Sequence, residues 1–109
     1  MKKLLFATII INFISCDSRN TDEISTPVTY SKDVSPIINT YCVSCHSPKG
    51  GASSYYPLTS YTEVKNAIDN IIVRIEKPDS DPLKMPQGSN LTADEISLIK
   101  KWKAGGLKE

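Results

Sequence analysis

The chain has 109 residues, with 13 Lys and Arg side chains against 12 Asp and Glu, so its formal charge is +1. This length excludes a two-domain protein, because one small domain and a targeting segment already account for it. The near-neutral balance, without any basic block, excludes a surface for wrapping nucleic acid.

The N-terminus predicts an export signal. Two lysines precede an apolar run from Leu4 to Ile14, which is too short to span a bilayer. Cys16 follows a small residue directly after this run, a layout that resembles a bacterial lipoprotein signal; a plain signal peptide with an incidental cysteine is the alternative. We therefore expect residues 1–15 to be a signal peptide, Cys16 to be lipidated, and residues 16–29 to be a polar tether. The protein is then an exported, membrane-anchored lipoprotein of the bacterial periplasm or cell envelope.

The first predicted helix opens the folded unit, which we place at residues 30–109. Apolar residues recur at helical spacing from Val34 to Cys45, so both cysteines of this stretch are expected to extend its buried stripe. Asp33 or Ser35 is expected to cap the helix, and Pro36 is tolerated because it lies in the first turn.

The second predicted helix begins at the capping box Ser60-Tyr-Thr-Glu63. An apolar stripe follows it as far as Ile75, and Pro78 ends the helix. The pair Asp69-Asn70, next to a β-branched cluster, could divide the stripe into two short helices.

The third predicted helix begins at a second capping box, Thr92-Ala-Asp-Glu95, and ends at Gly105-Gly106. No segment shows the alternation typical of strands, so the fold class is all-α. The connection over residues 77–90 holds three prolines, which predicts a shaped segment.

The most informative motif is Cys42-Val-Ser-Cys45-His46, because C-x-x-C-H is the attachment signature of c-type haem. Positions i, i+3 and i+4 of a helix share one face, so two thiols can add to the porphyrin vinyl groups while the next imidazole reaches the iron. The alternatives are a zinc site, which would need a carboxylate as fourth ligand, a plain disulfide or dithiol, and chance. We expect one covalently bound haem c.

Met85 is the candidate for the second axial ligand. Met1, the only other methionine, leaves with the signal peptide. Met85 lies in the proline-rich connection and is followed by a proline, so it is a poor filler of a core gap and a plausible thioether donor.

Residues from about Tyr30 to Leu107 resemble a small bacterial class I cytochrome c. The segments that carry the resemblance are Tyr30 to Ile38 before CVSCH, CVSCH itself, Pro57-Leu-Thr-Ser-Tyr61, Lys84-Met-Pro86 and the pattern from Leu91 to Gly106 with its tryptophan. The resemblance implies a cytochrome c-like fold of three to four short helices around one haem. It assigns Cys42 and Cys45 to haem attachment, His46 to the proximal position and Met85 to the distal one. It also implies that the third helix crosses the first near the haem edge.

The predicted function is electron transfer in a respiratory or dehydrogenase-linked chain, without enzymatic activity or a small-molecule substrate, because both axial positions are filled. Its partners would be redox proteins, and the membrane through the lipid anchor. The alternatives are a haem-based sensor with a displaceable sixth ligand, or an accessory haem subunit of a membrane-associated oxidoreductase. A peroxidase is disfavoured because His46 is the only histidine.

Several other side chains have two interpretations each. An aromatic group or Arg74 could contact the haem or its propionates, but core packing or a solvated face is favoured. A set of late lysines could dock an acidic partner, but lysines also suit the C-terminal end of a helix. The aromatic residues are Tyr41, Tyr55, Tyr56 and Trp102, and the lysines are Lys100, Lys101, Lys103 and Lys108.

Overall fold

A computed structural model describes residues 26–49 and 56–109 and contains three α-helices in these ranges. They are α1 (Ser35–Tyr41), α2 (Tyr61–Ile75) and α3 (Ala93–Ala104). These ranges hold no β-strand, so the all-α prediction is confirmed for them. None of the described helices has the length and apolar character needed to cross a bilayer.

Some predictions concern parts of the chain that the structure does not describe. The signal peptide at residues 1–15, the lipidated Cys16 and the tether up to residue 25 lie outside the described residues, as does Tyr55. Export and lipidation therefore remain predictions from the sequence.

The first helical segment differs from its prediction at both ends. It begins earlier, with a π-helical turn over Tyr30–Val34 that leads directly into α1. The cap is Thr29, whose hydroxyl accepts a hydrogen bond from the Lys32 N–H while its own N–H donates to Asp33 Oδ2 at 2.9 Å. The expectation that Asp33 or Ser35 would be the N-cap was therefore wrong, although Asp33 does complete the start of the segment.

The C-terminal end of α1 also corrects the prediction. The helix ends at Tyr41, and the Cys42 and Val43 amides both donate to the Ile38 carbonyl, so the regular ladder closes there. Cys42 is half-buried but Cys45 is exposed, so only the first cysteine extends the buried stripe. Val43 and Ser44, both weak helix formers, follow this end.

The other two helices match their predictions. Ser60 and Glu63 form the complete capping box of α2, and Thr92 and Glu95 form that of α3. The helix α2 runs unbroken through Asp69-Asn70, because its buried apolar face continues on both sides of this pair.

The core lies where α2 packs on α3 and α3 packs on the π-helical turn. Its side chains with almost no exposed surface are Trp102, Ile38, Ile99, Val34 and Val64.

An aromatic cluster of Tyr30, Tyr61 and Trp102 packs against this core. The ring centroid of Tyr30 lies 5.5 Å from that of Tyr61 and 5.7 Å from that of Trp102. Two polar atoms of the cluster bind the C-terminal segment: Trp102 Nε1 donates to the Lys108 carbonyl at 2.7 Å, and the Tyr61 hydroxyl donates to the Leu107 carbonyl at 2.7 Å. The C-terminal segment therefore covers the aromatic cluster and satisfies these two polar atoms.

Candidate functional site

The C-x-x-C-H motif forms a tight turn directly after α1. The Cys45 amide donates to the Cys42 carbonyl at 3.2 Å, and the His46 amide donates to the same carbonyl at 2.9 Å. The i, i+3 and i+4 arrangement expected of a helix is thus retained by one isolated turn. The two thiols are not joined in a disulfide.

The two thiols differ in environment. Burial raises the pKa of the Cys42 thiol to about 11, so this thiol is protonated at neutral pH, whereas Cys45 is exposed. Within the described ranges no group of three or more His, Cys, Asp or Glu side chains is placed to hold a metal ion. The zinc and disulfide alternatives therefore gain no support from this part of the chain.

The imidazole of His46 is held by the segment that precedes α2. His46 Nδ1 lies 2.8 Å from the Tyr56 carbonyl oxygen, and the Leu58 amide donates to the His46 carbonyl at 2.8 Å. A carbonyl can only accept, so Nδ1 must carry the proton of this hydrogen bond. The neutral ring then presents the lone pair of Nε2, which is the form in which histidine binds a metal.

Met85 lies half-buried in a connection that hydrogen bonds hold in one shape. The Asp81 carboxylate accepts from the Leu83 amide at 2.8 Å and from the Lys77 ammonium at 2.9 Å. The Lys84 ammonium donates to the Lys77 carbonyl at 2.8 Å and pairs with Asp79 at 3.0 Å. These contacts join residues within 77–84. The stiffness expected from the prolines stays a prediction.

The last full turn of α2 holds the Met85 segment in place. The Met85 amide donates to the Arg74 carbonyl at 3.1 Å, and Arg74 Nη1 donates to the Leu83 carbonyl at 3.1 Å. Earlier on the same helix, Asn70 Nδ2 donates to the Tyr56 hydroxyl at 3.1 Å. The helix α2 is therefore hydrogen-bonded to the segments that carry or support His46 and Met85.

These contacts share one face of α2, which we call the bridging face and define by Asn70, Val73 and Arg74. Residues at i, i+3 and i+4 are neighbours on a helix surface, and Asn70 and Arg74 are separated by roughly 6 Å along the axis. The structure thus brings the His46 and Met85 segments to adjacent turns of one helix.

Exposed apolar surface collects around the bridging face. The large hydrophobic side chains exposed in the described ranges are Val73 at 58%, Leu83 at 51% and Tyr56 at 39%. Val73 belongs to the bridging face, and Tyr56 and Leu83 are hydrogen-bonded to its other two residues. Each of the three residues with a large exposed apolar side chain is therefore on the bridging face or hydrogen-bonded to it.

Most of the other side chains with two interpretations have structural partners. Trp102 is fully buried and uses its N–H on the C-terminal segment, so core packing is confirmed for it. The Tyr41 hydroxyl donates to Glu95 Oε1 at 3.3 Å and links α1 to α3. Two of the late lysines pair with acidic residues of α2 or its C-cap: Lys100 with Glu76 and Lys103 with Asp69.

The residues that support His46 and Met85 were not all visible in the sequence. The Tyr56 carbonyl and the Asn70 amide escaped prediction, because main-chain acceptors have no residue signature and an exposed asparagine on a helix is common. The role of Arg74 toward the Met85 segment had one available signal, the proline four residues later. Comparison with protein-family models, with curated proteins and with solved structures finds no match to the chain.

Proposed function

We propose that this chain is a small c-type cytochrome that carries single electrons through one covalently attached haem. Cys42 and Cys45 would form the thioether bonds, with His46 and Met85 as the axial ligands. The domain at residues 30–109 would then adopt a cytochrome c-like fold. Bound there, the haem would supply a one-electron Fe(III)/Fe(II) couple.

The observation that carries the proposal is the hydrogen bond from His46 Nδ1 to the Tyr56 carbonyl at 2.8 Å. It stands inside the one C-x-x-C-H motif of the sequence and selects the tautomer whose Nε2 can bind iron.

The donor set of the described residues fits a haem. Two free thiols stand three positions apart, and the half-buried thioether of Met85 is a soft, neutral donor that suits iron in the ferrous state. The exposed apolar side chains around the bridging face supply the surface that a macrocycle would cover.

The chain's own residues would hold the two ligands with little rearrangement. Tyr56 fixes the ring of His46 through its carbonyl, and the Leu58 amide fixes the His46 main chain. The Met85 main chain is fixed by the hydrogen bond from its amide to the Arg74 carbonyl at the end of α2. Small rearrangement on gain or loss of an electron suits a carrier.

Export and lipidation at Cys16 complete the proposal, since haem attachment of this type takes place outside the cytoplasm. The protein would be tethered to a membrane of the cell envelope and would exchange electrons with redox proteins. An accessory haem subunit of an oxidoreductase would use the same chemistry and differ only in its partner.

The test is expression of the full chain in a host that attaches haem c to exported proteins. We expect a coloured protein with a reversible redox spectrum, a pyridine-haemochrome spectrum of haem c, and colour that stays with the protein after acid–acetone extraction. A matched chain with Cys42→Ala and Cys45→Ala together should remain colourless after extraction. Colour that leaves the unmutated protein would contradict covalent attachment, and a colourless protein would contradict the function.

A further inference from the structure

We propose that Arg74 is a positioning residue for Met85, which it holds through two contacts to the main chain at and before Met85. Its carbonyl accepts from the Met85 amide at 3.1 Å, and its guanidinium donates to the Leu83 carbonyl at 3.1 Å. A single residue of α2 thus binds the main-chain groups on both sides of Lys84. The part of this inference that concerns Met85 as a haem ligand rests on the proposed function.

The C-terminal end of α2 explains why Met85 is the donor. In a continuing helix the Arg74 carbonyl would accept from the amide four positions later. That position is Pro78, which has no N–H, so the carbonyl is left without a helical partner. The Met85 amide donates to this carbonyl instead, so the segment that carries Met85 is fixed against the C-terminal end of α2.

The guanidinium adds a second, independent constraint. Arg74 lies in the last turn of α2, where a cation is favoured by the helix dipole, and it is half-buried. From there it donates to the carbonyl two residues before Met85. Hydrogen bonds from charged donors are stronger than neutral ones, so its removal should release the segment locally.

The inference predicts a restricted effect, because Arg74 contacts the Met85 segment and is not among the buried residues of the core. Loss of the guanidinium should loosen the segment without unfolding the helices. Lys65, an exposed cation on the same helix placed over the Tyr61 ring, is the matched control, since Lys65→Met removes the same charge without touching the segment.

The experiment measures amide hydrogen exchange by nuclear magnetic resonance in the intact, haem-loaded protein. In Arg74→Met we expect exchange at the Met85 amide to rise about tenfold, the effect of one charge-assisted hydrogen bond at a partly exposed site, while the core amides of Ile68 and Trp102 keep their rates. Arg74→Lys should restore part of the protection, and Lys65→Met should equal the wild type. Unchanged exchange at Met85, or an equal rise in the core, would overturn the inference.

A second variant tests the helix end without removing the arginine. Pro78→Ala restores an amide that can compete for the Arg74 carbonyl, so exchange at Met85 should rise; an unchanged rate would overturn the role of that carbonyl in fixing the segment. In the ferrous protein, carbon monoxide should bind faster to Arg74→Met than to wild type. If the protein holds no haem, the proposed function fails, and the same exchange comparison on the haem-free full chain still decides on the Arg74 contacts. If the wild type binds haem through Met85 and Arg74→Met changes nothing, only the inference fails.

Discussion

The two sides of α2 differ in whether their apolar side chains are buried or exposed. On the core side, Tyr61 packs with Tyr30 and Trp102, and the polar atoms of Tyr61 and Trp102 bind the C-terminal segment. On the other side, the bridging face leaves Val73 exposed and connects to the segments around His46 and Met85. The first side is complete within the chain, whereas the second has apolar surface beside two potential ligands.

This difference distinguishes the side of α2 that stabilises the small domain from the side that is proposed to serve its function. Burial of aromatic surface stabilises the fold because it removes apolar area from water, and the hydrogen bonds of Tyr61 and Trp102 offset the cost of burying their polar atoms. Exposed apolar side chains add little to folding, and under the proposed function those on and beside the bridging face would be covered by the haem. Variants on the two sides of α2 should therefore differ in their effects on stability and on haem binding.

The largest effect is expected at the attachment turn. Cys42→Ala or Cys45→Ala should leave at most one thioether bond, and holoprotein should accumulate poorly because a covalent staple of a small core is lost. Haem staining of a denaturing gel measures the attached group directly. Serine variants of the same positions serve as size-matched controls. A pyridine-haemochrome spectrum counts the vinyl groups left unreacted, so a single variant with the spectrum of the wild type would mean that the altered cysteine is not an attachment point.

The next effect compares the two sides of α2 by truncation. Trp102→Ala removes a fully buried side chain and should lower the free energy of unfolding by about 3–5 kcal/mol, since a cavity remains. Val73→Ala, on the exposed side, should change it by less than about 0.5 kcal/mol. Urea denaturation of both variants measures the contrast. Similar losses in the two variants would show that Val73 belongs to the core.

The third effect concerns Met85. Met85→Ala should open the sixth position to water, favour high-spin ferric iron and lower the reduction potential, because the thioether favours the ferrous state. Met85→His should keep low-spin iron while still lowering the potential, since imidazole donates more strongly to the ferric ion. Visible spectra and a redox titration distinguish the two variants. Unchanged spectra in Met85→Ala would remove Met85 from the ligand set.

The smallest effect is a pH dependence of the Met85 segment. The Leu83 amide, and then the Lys77 ammonium, hold the pKa of Asp81 below its ordinary value of 3.8. A carboxyl with a lowered pKa stabilises the segment above its unfolded-state pKa, and this contribution is lost as the pH falls through the folded value. The amide signal of Leu83 should therefore titrate below pH 3.8, and Asp81→Asn should abolish that titration. A midpoint above 3.8 in the wild type would contradict the assigned contacts.

The sequence predicted those parts of the fold that depend on local patterns. Two capping boxes located α2 and α3, because a side chain and a backbone amide only three positions apart decide where such a helix begins. The end of α1 escaped prediction, since Cys42 and Cys45 continue the helical spacing although the backbone has already left the helix. Apolar periodicity cannot distinguish a helix from the single turn that follows it.

The proposed ligands of the candidate site came from the sequence alone and stay a prediction, whereas the contacts that support them became visible only in the structure. Cys42, Cys45 and His46 form a motif, and Met85 followed by elimination, so each needed only the sequence. The hydrogen bonds from His46 to Tyr56 and from Met85 to Arg74 join residues through main-chain atoms, for which composition and spacing give no signal. The prolines of the connection after α2 predict its stiffness, but not the helix turn on which it is anchored.

The most direct test of the central claim, that His46 and Met85 both bind one haem iron, is a pair of spectroscopic measurements on the unmutated holoprotein. The ferric protein should show the weak near-infrared charge-transfer band of a sulfur ligand, and the ferrous protein should bind carbon monoxide only slowly, because no axial position is open. A missing band together with rapid binding of carbon monoxide would contradict the claim and favour a haem-based sensor over an electron carrier.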